Sequence, residues 1–465
     1  MPGKVTIGNA QAFWGDSPRA AARLVQQWPD LDFLTMDYLS EVSMSIMAIQ
    51  REKDPQSGYA RDFIEVIKSL VPLWKEGAKV RIVTNAGGLN PLGCAQACAE
   101  ILQAATFRSW KIGVVYGDDV LNIMDNDSSN ENYQNLETGE PLSAVKSKLV
   151  TANAYLGAHP IVKALEEGAD IVITGRVADP SLTVAPCLAS FAWSWQDYDK
   201  IAGATIAGHL IECGTQVTGG VSTNWLGVPD PANIGFPVVE VSSDGSFIIT
   251  KPEGTGGLVS EQTVKEQLLY EIGDPDNYLS PDITASFLSL QLQTIGPNHV
   301  KIEGAKGKPA PEKFKVSATY RDGYKVEGFL AVFGRHAPEK ARRCGEVILE
   351  RVKQAGYSLS RTTIECLGAL DIVPGVFDKV DSECSLECVL RITAADPNKE
   401  ALEYLAKEIA PLITSGPQGV TGYTSGRPHV REVFGYWPCL IDHQLLSPEV
   451  KLIEVNHDAA VKTNS

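Results

Sequence analysis

His209, Glu212 and Cys213 stand at i, i+3 and i+4 in the run IAGATIAGHLIECG (201–214), a spacing that puts all three on one face of a helix. An imidazole beside a carboxylate can trade a proton near neutral pH, so this face is a candidate for general acid–base catalysis. The plainer reading is a buried histidine satisfied by its neighbour. Asp37, straight after DFLTM (32–36), and Asp118 and Asp119, after KIGVVYG (111–117), are strand-end carboxylates that could supply the base instead. His159, His299, His336, His429, His443 and His457 have no partner pattern and read as structural or surface residues.

A second chemistry is anion binding. Three places repeat an apolar strand, a loop of glycine and small polar residues, and a helix start: VRIVTNAGGLNPLG (80–93), DIVITGRVADPSL (170–182) and SFIITKPEGTGGLVS (246–260). Ligands of open α/β sheets bind beyond the carboxyl ends of strands, and glycines let a ligand approach the backbone. Asn85 and Asn90 flank Gly87 and Gly88 and could orient a carbonyl or carboxylate. Arg176 follows a strand at once, where a planar guanidinium suits bidentate binding of a carboxylate or phosphate. Asp179 pairs with Arg176 or bonds the next helix start. Lys251 with Gly254 and Gly256 could take a phosphate. None of the loops is a P-loop or a G-x-G-x-x-G fingerprint. Each alone is more often a tight turn; the three together point to one shared anionic pocket.

The elements that must position these residues follow from hydrophobic pattern. VTIG (5–8), DFLT (32–35), VRIVT (80–84), KIGVV (111–115) and DIVITG (170–175) read as buried strands. Amphipathic segments near 17–27, 59–76, 91–105 and 157–168 lie between them. The alternation predicts an α/β protein with a parallel-sheet N-terminal domain, residues 1–216. Residues 120–148 are polar and acidic and read as an excursion or flap. From 217 the texture shifts to strands at 238–243, 246–251, 299–304, 313–320 and 326–334, helices at 261–272, 336–356 and 398–412, and strands near 363–371 and 386–393. That predicts a second, mixed α+β domain over 217–465, subdivided near 335. Gly214 and Gly356 are expected as helix C-terminal caps.

The chain has 465 residues, 44% of them hydrophobic and 21% charged, and a net charge of −16. This composition fits a soluble globular enzyme and argues against a general binder of nucleic acid or membrane surface, both anionic. Nine cysteines at irregular spacing fit reduced thiols in a cytoplasmic protein. Cys94/Cys98 and Cys384/Cys388 have C-x3-C spacing without a nearby histidine, so no metal is expected. The first residues lack a signal-peptide core, and no apolar run is long enough to span a bilayer.

Several stretches together identify a family. IGNAQAFWGDS (7–17), DYLSE (37–41), TNAGGLNP (84–91), ITGRVADPSL (173–182), AGHLIECGTQVTGG (207–220) and QLLYEIGDPDNYLSPD (267–282) resemble the acyclic terpene utilisation A proteins, AtuA. The resemblance spans most of residues 5–335. It implies a cytosolic protein of carboxylic-acid or acyl-CoA catabolism and leaves the reaction open. Many relatives have a further small C-terminal domain or a separate small partner protein; this chain resembles the stand-alone large subunit, so homo- or hetero-oligomers are expected. The expected activity is hydration or dehydration of an acyl-CoA thioester or a small hydroxy or unsaturated carboxylate. His209 or Glu212 would be the base, with Asp37 in reserve, and no cofactor beyond CoA within the substrate. The alternatives are a carbon–carbon lyase, a thioesterase, or a non-catalytic accessory subunit of an acyl-CoA carboxylase-type assembly.

Overall fold

The computed structural model describes residues 3–40, 42–127, 132–373, 375, 386–423 and 426–456. Cys384 and His457, noted above, lie outside these residues.

The expected strands form: β1 (Lys4–Asn9), β2 (Phe33–Met36), β3 (Arg81–Thr84) and β4 (Trp110–Tyr116), with β6 (Ile171–Thr174) following β5 (Leu149–Ala154). β1, β2, β3, β6 and β4 pair in that order and all parallel. Their side chains alternate between two cores, as a pleated strand requires. Phe33, Val83, Val115 and Val172 face the helices His159–Glu166, Ser181–Phe191 and Tyr198–Glu212. Leu34, Ile82, Val114 and Ile171 face Ala20–Gln27, Asp62–Lys75 and Pro91–Ala105.

The boundary expected at 217 is absent, because the sheet continues through it. β7 (Val238–Ser242) pairs antiparallel with β1, and β8 (Phe247–Thr250) follows it. After β9 (Tyr278–Leu279) and β10 (Thr284–Ser286), the strands β11 (Gln291–Gly296) and β12 (His299–Glu303) extend the same edge. β13 (Lys306–Lys308) joins β10 and β9 in a small antiparallel sheet. The parallel sheet is thus the centre of a mixed ten-stranded one.

The chain divides instead into a larger unit, Met1–Thr319 with Tyr436–Ser465, and a smaller inserted unit, Tyr320–Gly435. β14 (Lys313–Phe333) enters the smaller unit as one strand that passes through Gly323 at φ +82°, where two strands were expected. There it pairs with β16 (Glu387–Asp396), which pairs with β15 (Arg361–Leu367), and with β17 (Val420–Tyr423). The helices Ala337–Gln354 and Lys399–Ile409 cover this sheet around a core that includes Leu330, Ile348, Ile392 and Leu405. β18 (Arg431–Asp442) returns to the larger unit, where β19 (Glu449–Val455) pairs antiparallel with β4.

Candidate functional site

The helix Tyr198–Glu212 is buried over every residue from Ile201 to Ile211. Its small residues explain how. A Cβ on Gly203 would lie 2.1 Å from the Gly245 carbonyl oxygen, and one on Gly208 would lie 2.8 Å from Pro180 Cα. The second approach sets the end of this helix against the start of Ser181–Phe191, bringing Asp179 and His209 to one cavity. Beyond Cys213, Gly214 adopts the left-handed conformation expected of a cap, φ +56°. Asn9 of β1 donates to the carbonyls of Ile211 (2.5 Å) and Glu212 (2.8 Å), tying the helix end to the sheet.

The cavity holds about 350 Å³. Its acids are Asp179, Glu212 and Glu271, its cations Lys313 and Lys315, and Tyr155, Tyr278 and Phe314 add aromatic walls. Leu136, Leu279 and Leu440 form an exposed apolar lip. Neither Lys313 nor Lys315 has a carboxylate partner among the described residues; Lys315 lies over the Tyr155 ring, 5.2 Å from its centroid.

His209 is 1% exposed and bonded at both ring nitrogens. Nε2 lies 3.0 Å from the Gln267 carbonyl, which only accepts, so Nε2 bears a proton. Nδ1 lies 3.2 Å from Glu212 Oε1, and that contact needs a second proton between the two. Burial pulls the imidazole down, but the bonded Glu212 carboxylate and the Gln267 carbonyl outweigh it and hold His209 above its ordinary value. Burial pushes the Glu212 carboxyl up against the opposing His209 bond, and the charges of Asp37 and Glu271 add to the rise. Glu212 Oε2 is buried and has no hydrogen-bond partner among the described residues. With both imidazole nitrogens committed, the proton acceptor of the His209–Glu212 pair is Glu212, and His209 is the group that orients and tunes it. Burial and the Glu212 and Glu271 charges push the Tyr278 phenol well above its ordinary value, so it keeps its proton and can donate.

The other expected residues are held differently. Arg176 is 2% exposed, and its guanidinium donates to the carbonyls of Val177 (2.8 Å from Nε) and Leu39 (2.7 Å from Nη1) and to Asp179. This differs from the open anion fork expected of it: a guanidinium just after a buried strand meets backbone carbonyls first. Asp179 pairs with Arg176 rather than capping its helix, whose N-cap Pro180 has no side-chain bond. Asp37 accepts from Leu39 N (2.9 Å) and Asn85 Nδ2 (2.6 Å), while Asn85 Oδ1 accepts from Tyr38 N (2.7 Å). The loop of Gly87 and Gly88 is closed by packing, since a Cβ there would meet the Thr174 carbonyl oxygen at 2.5 Å or Met47 Sδ at 2.1 Å. Asn90 caps the helix Pro91–Ala105 through Gly93 N at 3.0 Å. Lys251 Nζ donates to the Thr255 carbonyl at 2.7 Å, a Cβ on Gly256 would meet the Asp230 carbonyl oxygen at 1.9 Å, and Gly254 is an open turn at φ +75°. Of the expected residues, Asp179, His209 and Glu212 line one cavity, and Arg176 touches it through Asp179 and Tyr155.

Tyr155, Glu271, Tyr278, Lys313 and Lys315 escaped the sequence reading. Glu271 has φ +60°, strained for a residue with a side chain, and it lies in the run QLLYEIGDPDNYLSPD, the only signal that could have singled it out.

Among the described residues no helix is long and apolar enough to cross a membrane, and no group of three or more histidine, cysteine, aspartate or glutamate residues could hold a metal. No curated protein and no solved structure matches the chain. The model of the acyclic terpene utilisation family protein AtuA matches residues 5–452. With that match over nearly its whole length, the chain belongs to the AtuA family of acyclic terpene utilisation proteins.

Proposed function

We propose that the cavity around His209 and Glu212 catalyses reversible dehydration of a β-hydroxyacyl compound, as a thioester or a small free carboxylate. Glu212 takes the proton from the carbon beside the carbonyl. The β-hydroxyl departs with that proton as water, leaving the unsaturated product; hydration is the reverse, and no electrons are gained or lost. His209 holds the carboxylate by its bridging proton, and the Tyr278 hydroxyl donates to the carbonyl oxygen as negative charge grows there. The single observation behind this reading is the buried, partnerless Oε2 of Glu212 beside a cavity. Buried polar atoms are nearly always bonded, so an oxygen left without a protein partner at a cavity wall is a place where a ligand can bond. The test is incubation of the purified protein with a panel of thioesters and free acids, following gain or loss of one water by mass. Turnover of a panel member that falls by about 100-fold or more in Glu212→Gln supports the reading. Turnover that ignores Glu212 refutes it.

A further inference from the structure

The Glu212 cavity draws Tyr155 from the end of β5 and Asp179 from the end of β6. The carboxyl ends of β2, β3 and β4 belong to the same ligand-binding edge of an open α/β sheet, and they hold a second cavity of about 370 Å³ that shares no residue with the first. The helix Ser43–Lys53 after β2 supplies Arg51 and Glu52, the loop after β3 supplies Leu89, and the loop after β4 supplies Asp119. Asn153 of β5 forms part of the wall and is 1% exposed. Asp119 and Asn153 pair across an antiparallel bridge, which sets their side chains side by side.

Asn153 is bonded on one side only. Asp118 Oδ2 accepts from Arg176 N at 2.9 Å and from Asn153 Nδ2 at 2.8 Å. A carboxylate oxygen accepts, so the amide turns its nitrogen to Asp118 and its oxygen away. That oxygen, Oδ1, is buried and has no hydrogen-bond partner among the described residues. Buried polar atoms are nearly always bonded, so a donor belongs there. The rest of the wall selects the donor. Asp119 and Glu52 are exposed acids, against one cation, Arg51, whose Nη1 donates to the Leu89 carbonyl at 3.1 Å. Asp119 Oδ1 accepts from Leu121 N at 3.1 Å, which holds the carboxylate in place. Leu89, Leu121 and Val150 add half-buried apolar surface. An anion would meet two carboxylates and a bare acceptor here, whereas a primary ammonium offers three donors and the opposite charge.

We infer that this cavity binds a small alkylammonium compound, whose N–H groups donate to Asn153 Oδ1 and Asp119 and whose carbon chain lies on Leu89, Leu121 and Val150. The inference is independent of the acid–base reading, since none of these residues lines the Glu212 cavity.

Titration of the full chain with n-butylammonium chloride, followed by ligand-observed NMR, tests the assignment. Two comparison probes separate its parts: n-butanol has a donor without the charge, and tetramethylammonium has the charge without an N–H. The expected result is saturable binding of butylammonium, with both comparison probes weaker by about tenfold or more. Asp119→Asn keeps an acceptor for Leu121 N and removes the charge, and Leu121→Trp fills the cavity; each should weaken butylammonium by about tenfold or more. Asn153→Leu should do the same, and the other two variants keep the test valid should that one fail to fold. Glu212→Gln should bind the probe as the wild type does. Absence of saturation up to about 10 mM would mean that Asn153 Oδ1 is left to water, and it overturns the inference. Equal binding by wild type, Asp119→Asn and Leu121→Trp overturns it too, as does butanol or tetramethylammonium binding as tightly as butylammonium. Loss of binding in Glu212→Gln would put the probe in the other cavity and would also overturn it.

Discussion

Glu212 is the residue on which the chemistry turns, and its environment sets a pH dependence. Burial raises its carboxyl, and only the ionised form can accept a proton. The value of kcat/KM should therefore fall as pH drops through a pKa above the usual glutamate range, and His209→Gln should move that limb. A pH profile of wild type and variant checks it; a limb unmoved by His209→Gln would contradict the pairing. Arg176 makes the contrasting case. It looked like a ligand fork because it follows a strand, yet its donors serve Val177, Leu39 and Asp179. Arg176→Lys cannot reproduce a planar array of bonds and should cost about 3 kcal/mol in urea unfolding. Unchanged stability with a raised KM would return Arg176 to ligand binding.

At the scale of elements, the site depends on how helix starts are anchored. Asp282 accepts from Ala158 N at 2.6 Å and from Ser181 Oγ at 2.5 Å, so one carboxylate holds the beginnings of two helices. Burial pushes its pKa up to about 6. A carboxyl raised on folding contributes stability below its unfolded pKa near 4, and that contribution is lost as pH rises through 6. Asp282→Asn keeps an acceptor for Ala158 and a donor for Ser181 without the charge. Its stability relative to wild type should thus rise between pH 4 and 7, by up to about 3 kcal/mol. Thermal unfolding of both proteins across that range measures it, and a constant difference would contradict it. The same scale shows what could be read in advance. Strands β1 to β4 and β6 are short β-branched runs ended by turns, and such runs announce themselves. β5, LVTANA, was hidden inside a polar stretch, and the RDGYK of 321–325 reads as a turn although β14 runs through it. His209 and Glu212 were legible because one helix spaces them. Glu271, Tyr278, Lys313 and Lys315 come from later segments that only tertiary folding brings to the cavity, and no period in the sequence marks them.

For the whole molecule, two units with separate cores have a thermodynamic consequence. The larger unit is built on the ten-stranded sheet, and the inserted unit has its own sheet, helices and core. Scanning calorimetry should give a calorimetric enthalpy above the van't Hoff value; equality of the two would mean that the units unfold as one. The expected division at 217 failed for a related reason, since a change of local texture from α/β to β-rich does not end a sheet that takes antiparallel strands on its edge. The proposed chemistry rests on Glu212 moving a proton. The most direct measurement is exchange of the hydrogen beside the carbonyl of a saturated acyl thioester in deuterated water, followed by NMR. Wild type should exchange it, and Glu212→Gln should slow the exchange by about 100-fold or more with the fold intact. Exchange at the same rate in both proteins would contradict the account.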